Sequence, residues 1–182
     1  MSAGTMDAFA ELGLPRDPEV SVDQVRGAFR EAGKQRHPDA GGEAGDFARL
    51  QQAMTILSDP GSKLRHWLEL EGIDGGMRGP LGEGLMELFG TVGECLQEAD
   101  TLIRERQAAS SALVKALLEN RVQVVREKLE AMQERLENET TSRGEAFAAI
   151  ARGEVDGWLI ARELAFLGKW RGQLRERYGA LW

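Results

Sequence analysis

Cysteine occurs once in the 182 residues, at Cys95, so neither a disulfide within the chain nor a thiolate cage for zinc can form. A lone thiol fits a reducing compartment. Histidine occurs only twice, so no transition-metal site is expected and no cofactor is implied. Proline is scarce, at five residues, and aromatic residues make up 6%, a composition that suits helices better than a β-sandwich. An excess of positive charge is also missing. The formal net charge of −7 argues against a surface that grips nucleic acid. No run approaches the roughly 18 apolar residues of a membrane span, so no membrane partner is expected. Met1 to Ala10 lack a basic stretch followed by an apolar core, so no signal peptide is read there and a cytoplasmic location is expected. What is present, 42% hydrophobic and 29% charged residues, describes a soluble chain long enough for one medium domain or two small ones.

Glycine is the exception to this scarcity, and it is concentrated. Six of the thirteen residues from Gly72 to Gly84 are glycine and one is proline, which rules out a stable helix across them. A phosphate-cradling loop would need a following Lys-Ser/Thr and a preceding strand, and neither is there. The stretch 72–84 therefore reads as a linker between an N-terminal domain, 1–71, and a C-terminal one, 85–182.

Upstream of the linker the helix punctuation is legible. A short apolar segment, Met6 to Leu12, is stopped by Gly13-Leu14-Pro15. Ser21 stands three residues before Gln24, the spacing of a capping box, and opens a second helix whose apolar stripe is Val22, Val25, Phe29 and Ala32. This helix must end near Arg36, because Pro38 pushes His37 out of the α region. Phe47, Leu50, Met54 and Leu57 define a third helix. Asp59 before Pro60 reads as an N-cap with proline at the first helical position, opening a fourth that carries Leu64, Trp67 and Leu68.

Downstream the spacing predicts three helices and no strand. Leu85, Leu88, Phe89, Val92, Leu96, Ala99 and Ile103 keep one face apolar through about five turns. Leu118, Val122, Val125, Leu129, Met132 and Leu136 follow at heptad spacing. Gly144 and Gly153 interrupt the pattern, and a last helix from about Val155 carries Trp158, Leu159, Ala165, Phe166, Trp170, Leu174 and Tyr178. The fold class expected is all-α: four N-terminal helices, a glycine-rich linker, and a C-terminal bundle of three antiparallel helices.

Within this frame the triplet His37-Pro38-Asp39 is decisive, since it falls in the turn between two amphipathic helices. Pro38 fixes such a turn, His37 is held outside the helix, and Asp39 supplies a short anionic acceptor. The bland alternative is a mere helix-terminating turn. The arrangement over roughly Met6 to Glu71 resembles the J-domain of DnaJ-type co-chaperones. The resemblance implies a protein that is not itself an enzyme. It implies that His37, Pro38 and Asp39, with the basic face of the second helix, dock on a DnaK-type chaperone and stimulate its ATPase. Arg26, Arg30 and Lys34 are spaced i, i+4, i+8 on that helix, with Arg36 near its end, and form such a face opposite Val25, Phe29 and Ala32. The competing reading is an ordinary solvated face. In a chain of net charge −7, the segregated positive stripe favours a surface for an acidic partner.

Two further stretches are similar to the HscB family of iron–sulfur cluster assembly co-chaperones. Trp67-Leu68-Glu69-Leu70-Glu71-Gly72-Ile73-Asp74 resembles that family's passage from the fourth helix into its linker. Leu85-Met86-Glu87-Leu88 and Leu164-Ala165-Phe166-Leu167-Gly168-Lys169-Trp170 are similar to its C-terminal three-helix domain, which binds the scaffold protein IscU. This implies a client surface formed by Leu85, Met86, Phe89 and Phe166. Gly90 and Gly93 depart from the pattern, standing where polar or acidic positions are implied.

Other candidates are weaker. His66, beside Trp67, reads as a partly exposed surface residue, and Met86 and Phe89, taken without the resemblance, read as core. Acidic residues sit on solvated helix faces with no catalytic pair to single out. A second reading keeps the J-domain but gives the tail another client, or self-association as a coiled coil through the Leu118 to Leu136 stripe. A third, an enzyme with a helical active site, lacks a nucleophile–base pair.

Overall fold

The computed structural model describes residues 6–36 and 44–182, with the side chains of residues 35, 36 and 44 also outside the description. Among the described residues there are eight helices and no strand. None of the helices is long and apolar enough to cross a membrane.

The local signals place the N-terminal helices. Helix α1 (Ala8–Glu11) starts at Asp7, whose carboxylate accepts from the N–H groups of Phe9 and Ala10 at 3.0 and 3.1 Å. It stops at Gly13, whose φ of 66° lies in the left-handed region. Helix α2 (Val22–Arg36) opens with the reciprocal bonds of a capping box. The Ser21 N–H donates to Gln24 Oε1 at 2.8 Å, and the Gln24 N–H donates to Ser21 Oγ at 3.2 Å. Helix α3 (Ala44–Ser58) is followed by α4 (Pro60–Leu70), capped by Asp59, which accepts from the Ser62 N–H at 2.7 Å. Beyond the glycine-rich stretch come α5 (Glu83–Ala108), α6 (Ala112–Gly144), α7 (Phe147–Ala151) and α8 (Gly157–Ala180). Three of these match the expected tail helices. The five-residue α7 is an addition, in the place where Gly144 and Gly153 signal only an interruption.

The chain divides into two compact units, and the first joins the residues up to Gly79 with Arg143–Arg162. In it α3 packs against α1, α2 and α4. Phe9, Val25, Leu50, Leu57, Leu64 and Leu68 are fully buried at the centre. The later segment completes this core with buried Phe147, Ile150, Trp158 and Ala161. Helix α7 thus works with the N-terminal helices, an association that helical periodicity alone does not contain. Lys63 ties three stretches together. Its buried ammonium donates to the Val20 carbonyl at 2.6 Å and lies 5.5 Å from the centre of the Phe147 ring. Burial lowers its pKa.

No helix crosses the glycine-rich stretch from Gly72 to Gly82, as its composition requires, yet its backbone is held by side chains. Within the first unit, the Trp158 indole N–H donates to the Ile73 carbonyl at 2.9 Å, and Arg162 donates to the Gly76 carbonyl at 2.8 Å. Within the second, the Gly82 N–H donates to Glu163 at 2.9 Å.

The second unit holds Pro80–Ser142 and Glu163–Trp182. Ion pairs and hydrogen bonds show the direction of its helices. Glu98 meets Lys128 at 2.7 Å and Glu105 meets Arg121 at 2.5 Å, so α6 runs antiparallel to α5. Arg171 meets Glu137, and Tyr178 bonds Glu130 at 2.5 Å, so α8 runs antiparallel to α6. Most of these groups are solvated and add little stability individually. The core is the apolar stripe of each helix: Leu85, Leu88 and Val92; Val122, Val125, Leu129 and Leu136; Leu164, Leu167 and Leu174. The heptad stripe of α6 is therefore spent inside its own bundle.

Candidate functional site

His37, Pro38 and Asp39 lie outside the described residues, in the connection between the end of α2 at Arg36 and the start of α3 at Ala44. Arg36 ends α2, and its side chain is outside the description. The other three cations are placed as their spacing requires. Arg26, Arg30 and Lys34 are exposed, while Val25 on the other side of the helix is fully buried and Phe29 packs on Phe47 of α3, ring centres 6.2 Å apart.

The stripe is not purely cationic. Asp23 stands 3.7 Å from Arg26, and Lys34 donates to Glu31 at 2.7 Å. That hydrogen bond, with the charges of Lys34 and Arg30, holds the Glu31 carboxyl below its ordinary range. The face therefore presents three guanidinium or ammonium groups tempered by two carboxylates, all in solvent. Such a surface steers an anionic partner and is open to screening by salt.

The four tail residues separate into two kinds. Leu85 is buried, with 1% of its surface exposed, and is corrected here from a contact residue to a core residue. The reason is helical phase: Leu85, Leu88 and Val92 form the stripe that faces the bundle, so residue 85 cannot also face outward. Met86 and Phe89, one position further round the helix, are 60% and 58% exposed. Phe166 on α8 is 38% exposed. Trp170, which is buried, brings the two helices together at this point, its ring centre 6.0 Å from that of Phe89 and 5.8 Å from that of Phe166. Both aromatic pairs are tilted, an ordinary favourable geometry. The result is an apolar surface of Met86, Phe89 and Phe166 over a fixed tryptophan. Trp170 was legible in the sequence as a member of an apolar stripe, but its part in supporting this surface depends on two helices meeting.

Two residues outside these surfaces also bear on the chemistry. His66 is buried and is an acceptor, not a surface group: the Ala8 N–H donates to its Nε2 at 3.0 Å, and its ring stacks on Phe9 with centres 6.1 Å apart. Burial lowers its pKa, which fits a neutral ring. Cys95 is half-buried, and burial together with the Glu98 carboxylate raises the pKa of its thiol, away from nucleophilic character.

Comparison with known proteins gives the following. No protein-family model matches the chain. It is similar to a chaperone protein dnaJ of Oryza sativa subsp. japonica, 41% identical over 49 residues, which are 27% of this chain and 11% of that protein. It is also similar to a tetratricopeptide repeat and J domain-containing co-chaperone of Cryptococcus neoformans, 37% identical over 60 residues, which are 33% of this chain and again 11% of the relative. The chain thus spans about a tenth of the length of these curated relatives. Among solved structures it resembles the chaperone HscB from Vibrio cholerae, with a TM-score of 0.56 and 22% identity, over 94% of this chain and 96% of that one. Local sequence likeness to DnaJ-type proteins and a nearly end-to-end structural likeness to HscB together establish an all-α, HscB-like fold.

Proposed function

We propose that the protein is a co-chaperone, not an enzyme. Its J-domain, residues 1–71, stimulates the ATPase of a DnaK-type chaperone through His37, Pro38, Asp39 and the cations Arg26, Arg30, Lys34 and Arg36. Residues 85–182 present a client, an iron–sulfur scaffold protein, on Met86, Phe89 and Phe166, and residues 72–84 join the two parts. The observation that carries the reading is the position of His37-Pro38-Asp39 in the α2–α3 connection, next to a helix whose outer face is cationic. The curated matches, 49 and 60 residues long, are close in length to the Met6–Glu71 resemblance. The HscB-like fold supports the client half, because the exposed apolar surface stands on the helices that the resemblance nominated. The cytoplasm is the compartment this reading expects.

Self-association through the Leu118 to Leu136 stripe finds no support, since Val122, Val125, Leu129 and Leu136 are buried in their own bundle. The decisive experiment is His37→Gln, with stimulation of a DnaK-type ATPase as the readout. Stimulation should collapse while the unfolding free energy changes by no more than about 0.5 kcal/mol, the range of surface substitutions. A mutant that stimulates fully refutes the proposal.

A further inference from the structure

At one end of the second unit the hairpin of α5 and α6 stands without a third helix. The chain after α8 ends beside Arg106 of α5, which donates to the Leu181 and Trp182 carbonyls at 2.6 and 3.2 Å. On α6 it reaches Arg126, whose guanidinium lies 3.5 Å from the centre of the Trp182 ring. Arg106 also meets Glu119 at 4.0 Å, so α6 from Ala112 to Leu118, about two turns, lies beyond that level. Ser111 caps this end of α6, its Oγ accepting from the Val114 N–H at 3.2 Å.

Every residue from Ser110 to Leu117 is exposed, and the large ones are apolar: Leu113 at 71%, Leu117 at 70% and Val114 at 43%. Polar residues at 113 and 117 would serve the fold equally, so the bundle does not account for these leucines. Charge at the tip is also unlike the rest of the chain. Gln107 to Leu118 contain no acidic residue, although the chain has 30, and their one charge is the exposed Lys115. The acids that border the stretch are neutralised, Glu105 by Arg121 at 2.5 Å and Glu119 by Arg106.

We infer that this tip is a peripheral contact for an anionic lipid surface, with Leu113, Val114 and Leu117 seated among the headgroups and Lys115 against their phosphates. The shape selects the occupant. Leu113 and Leu117 share one side of α6, but Val114 lies about 100° round from Leu113, so the apolar side chains wrap the end of the hairpin instead of forming a stripe. A groove on another protein covers one side, whereas a bilayer receives a tip from all sides. A second copy of the chain is a poor fit, since a stable dimer buries about 800 Å² per partner, which two leucines and a valine do not supply. The expectation of no membrane partner came from the lack of a spanning segment, and an interfacial contact needs none. Added apolar burial and attraction of a cation to acidic headgroups together give reversible binding that weakens with salt.

The test is co-sedimentation of the full chain with vesicles, either of phosphatidylcholine alone or of phosphatidylcholine and phosphatidylglycerol in equal parts, at low and high salt. The wild type should pellet with the anionic vesicles and far less with the neutral ones, and high salt should release it. The double variant Leu113→Gln, Leu117→Gln should lose about a hundredfold in partitioning, and Lys115→Glu about tenfold. All should keep the wild-type thermal midpoint, because these side chains are in solvent. Met86→Gln, which alters a comparably exposed apolar residue elsewhere, should partition as the wild type does. No binding by the wild type, equal binding to both kinds of vesicle, or unchanged binding by the leucine variant overturns the inference. Sedimentation equilibrium without lipid supplies the remaining arm: a wild-type dimer that the leucine variant abolishes assigns the tip to a second copy and overturns it likewise.

Discussion

Trp158 hydrogen-bonds the carbonyl of Ile73 and in doing so lays its ring against Gly75, where a Cβ would stand 2.2 Å from the nearest indole carbon. Gly75 also has a φ of 145°, a region that side-chain-bearing residues rarely enter. Both constraints act at one position. Gly75→Ala should therefore destabilise the protein by about 2–4 kcal/mol, combining overpacking with backbone strain. Gly76→Ala, where a Cβ meets nothing, should have a much smaller effect. Denaturant titration of the two variants measures the difference.

His66 makes the N-terminal helix sensitive to acid. Its pKa is lowered in the folded protein, so below the ordinary value of about 6.5 the unfolded chain takes up a proton that the folded one resists. The stabilisation is fully present above that pH and is lost as pH falls through the folded value. Protonation also turns Nε2 from acceptor to donor and removes the partner of the Ala8 N–H. Asp7 and Glu69 oppose this shift, while Arg16 reinforces it. Unfolding free energy measured from pH 8 down to pH 5 should fall through this window. His66→Gln, which keeps an acceptor but cannot titrate, should flatten the slope.

Reversal of charge at Arg26 and Arg30 should weaken the proposed docking on a DnaK-type chaperone without harm to the fold, because both side chains are in solvent. The wild-type interaction should weaken as salt rises, since exposed charges are screened over about 8 Å at physiological ionic strength. Binding that ignores both the mutations and the salt identifies the stripe as a solvated face only.

Adjacent residues of α5 should respond in opposite ways. Leu85→Ala removes a buried side chain and should cost roughly 2–5 kcal/mol of stability. Met86→Ala should change stability by no more than about 0.5 kcal/mol, and Phe166→Ala by about 1 kcal/mol through its contact with Trp170. Met86→Ala and Phe166→Ala should each weaken the proposed binding of a scaffold protein by more than about 1 kcal/mol. Stability and affinity measured on the same three proteins separate core from contact.

What could be read in advance was local. Ser21 with Gln24, and Asp59 with Pro60, need only neighbours three residues apart, and both caps form as read. The all-α architecture and the long α6 follow from periodicity. Phase was harder. On α5 the apolar residues occupy two adjacent stripes, so spacing alone could not say that Leu85 turns inward while Met86 and Phe89 turn out. The role of His66 was out of reach because its donor, Ala8, is 58 residues away. The same holds for the glycine-rich stretch: its composition excludes a helix, but nothing in it announces that Trp158 and Arg162 hold its carbonyls.

The buried ammonium of Lys63 reaches from α4 to the carbonyl of Val20 and to the ring of Phe147, while Gly157 sits so close to Leu68 and Ile150 that a Cβ would lie 2.7 Å from a methyl of each. The first unit is therefore not a contiguous cassette. Cutting the gene after the fourth helix would leave Leu68 without its cover and Lys63 without its aromatic neighbour. Transplanting residues 1–71 alone onto another protein would carry an incompletely clothed core. In a chain built this way, residues 143–162 must leave the ribosome before the core of the first unit can be completed.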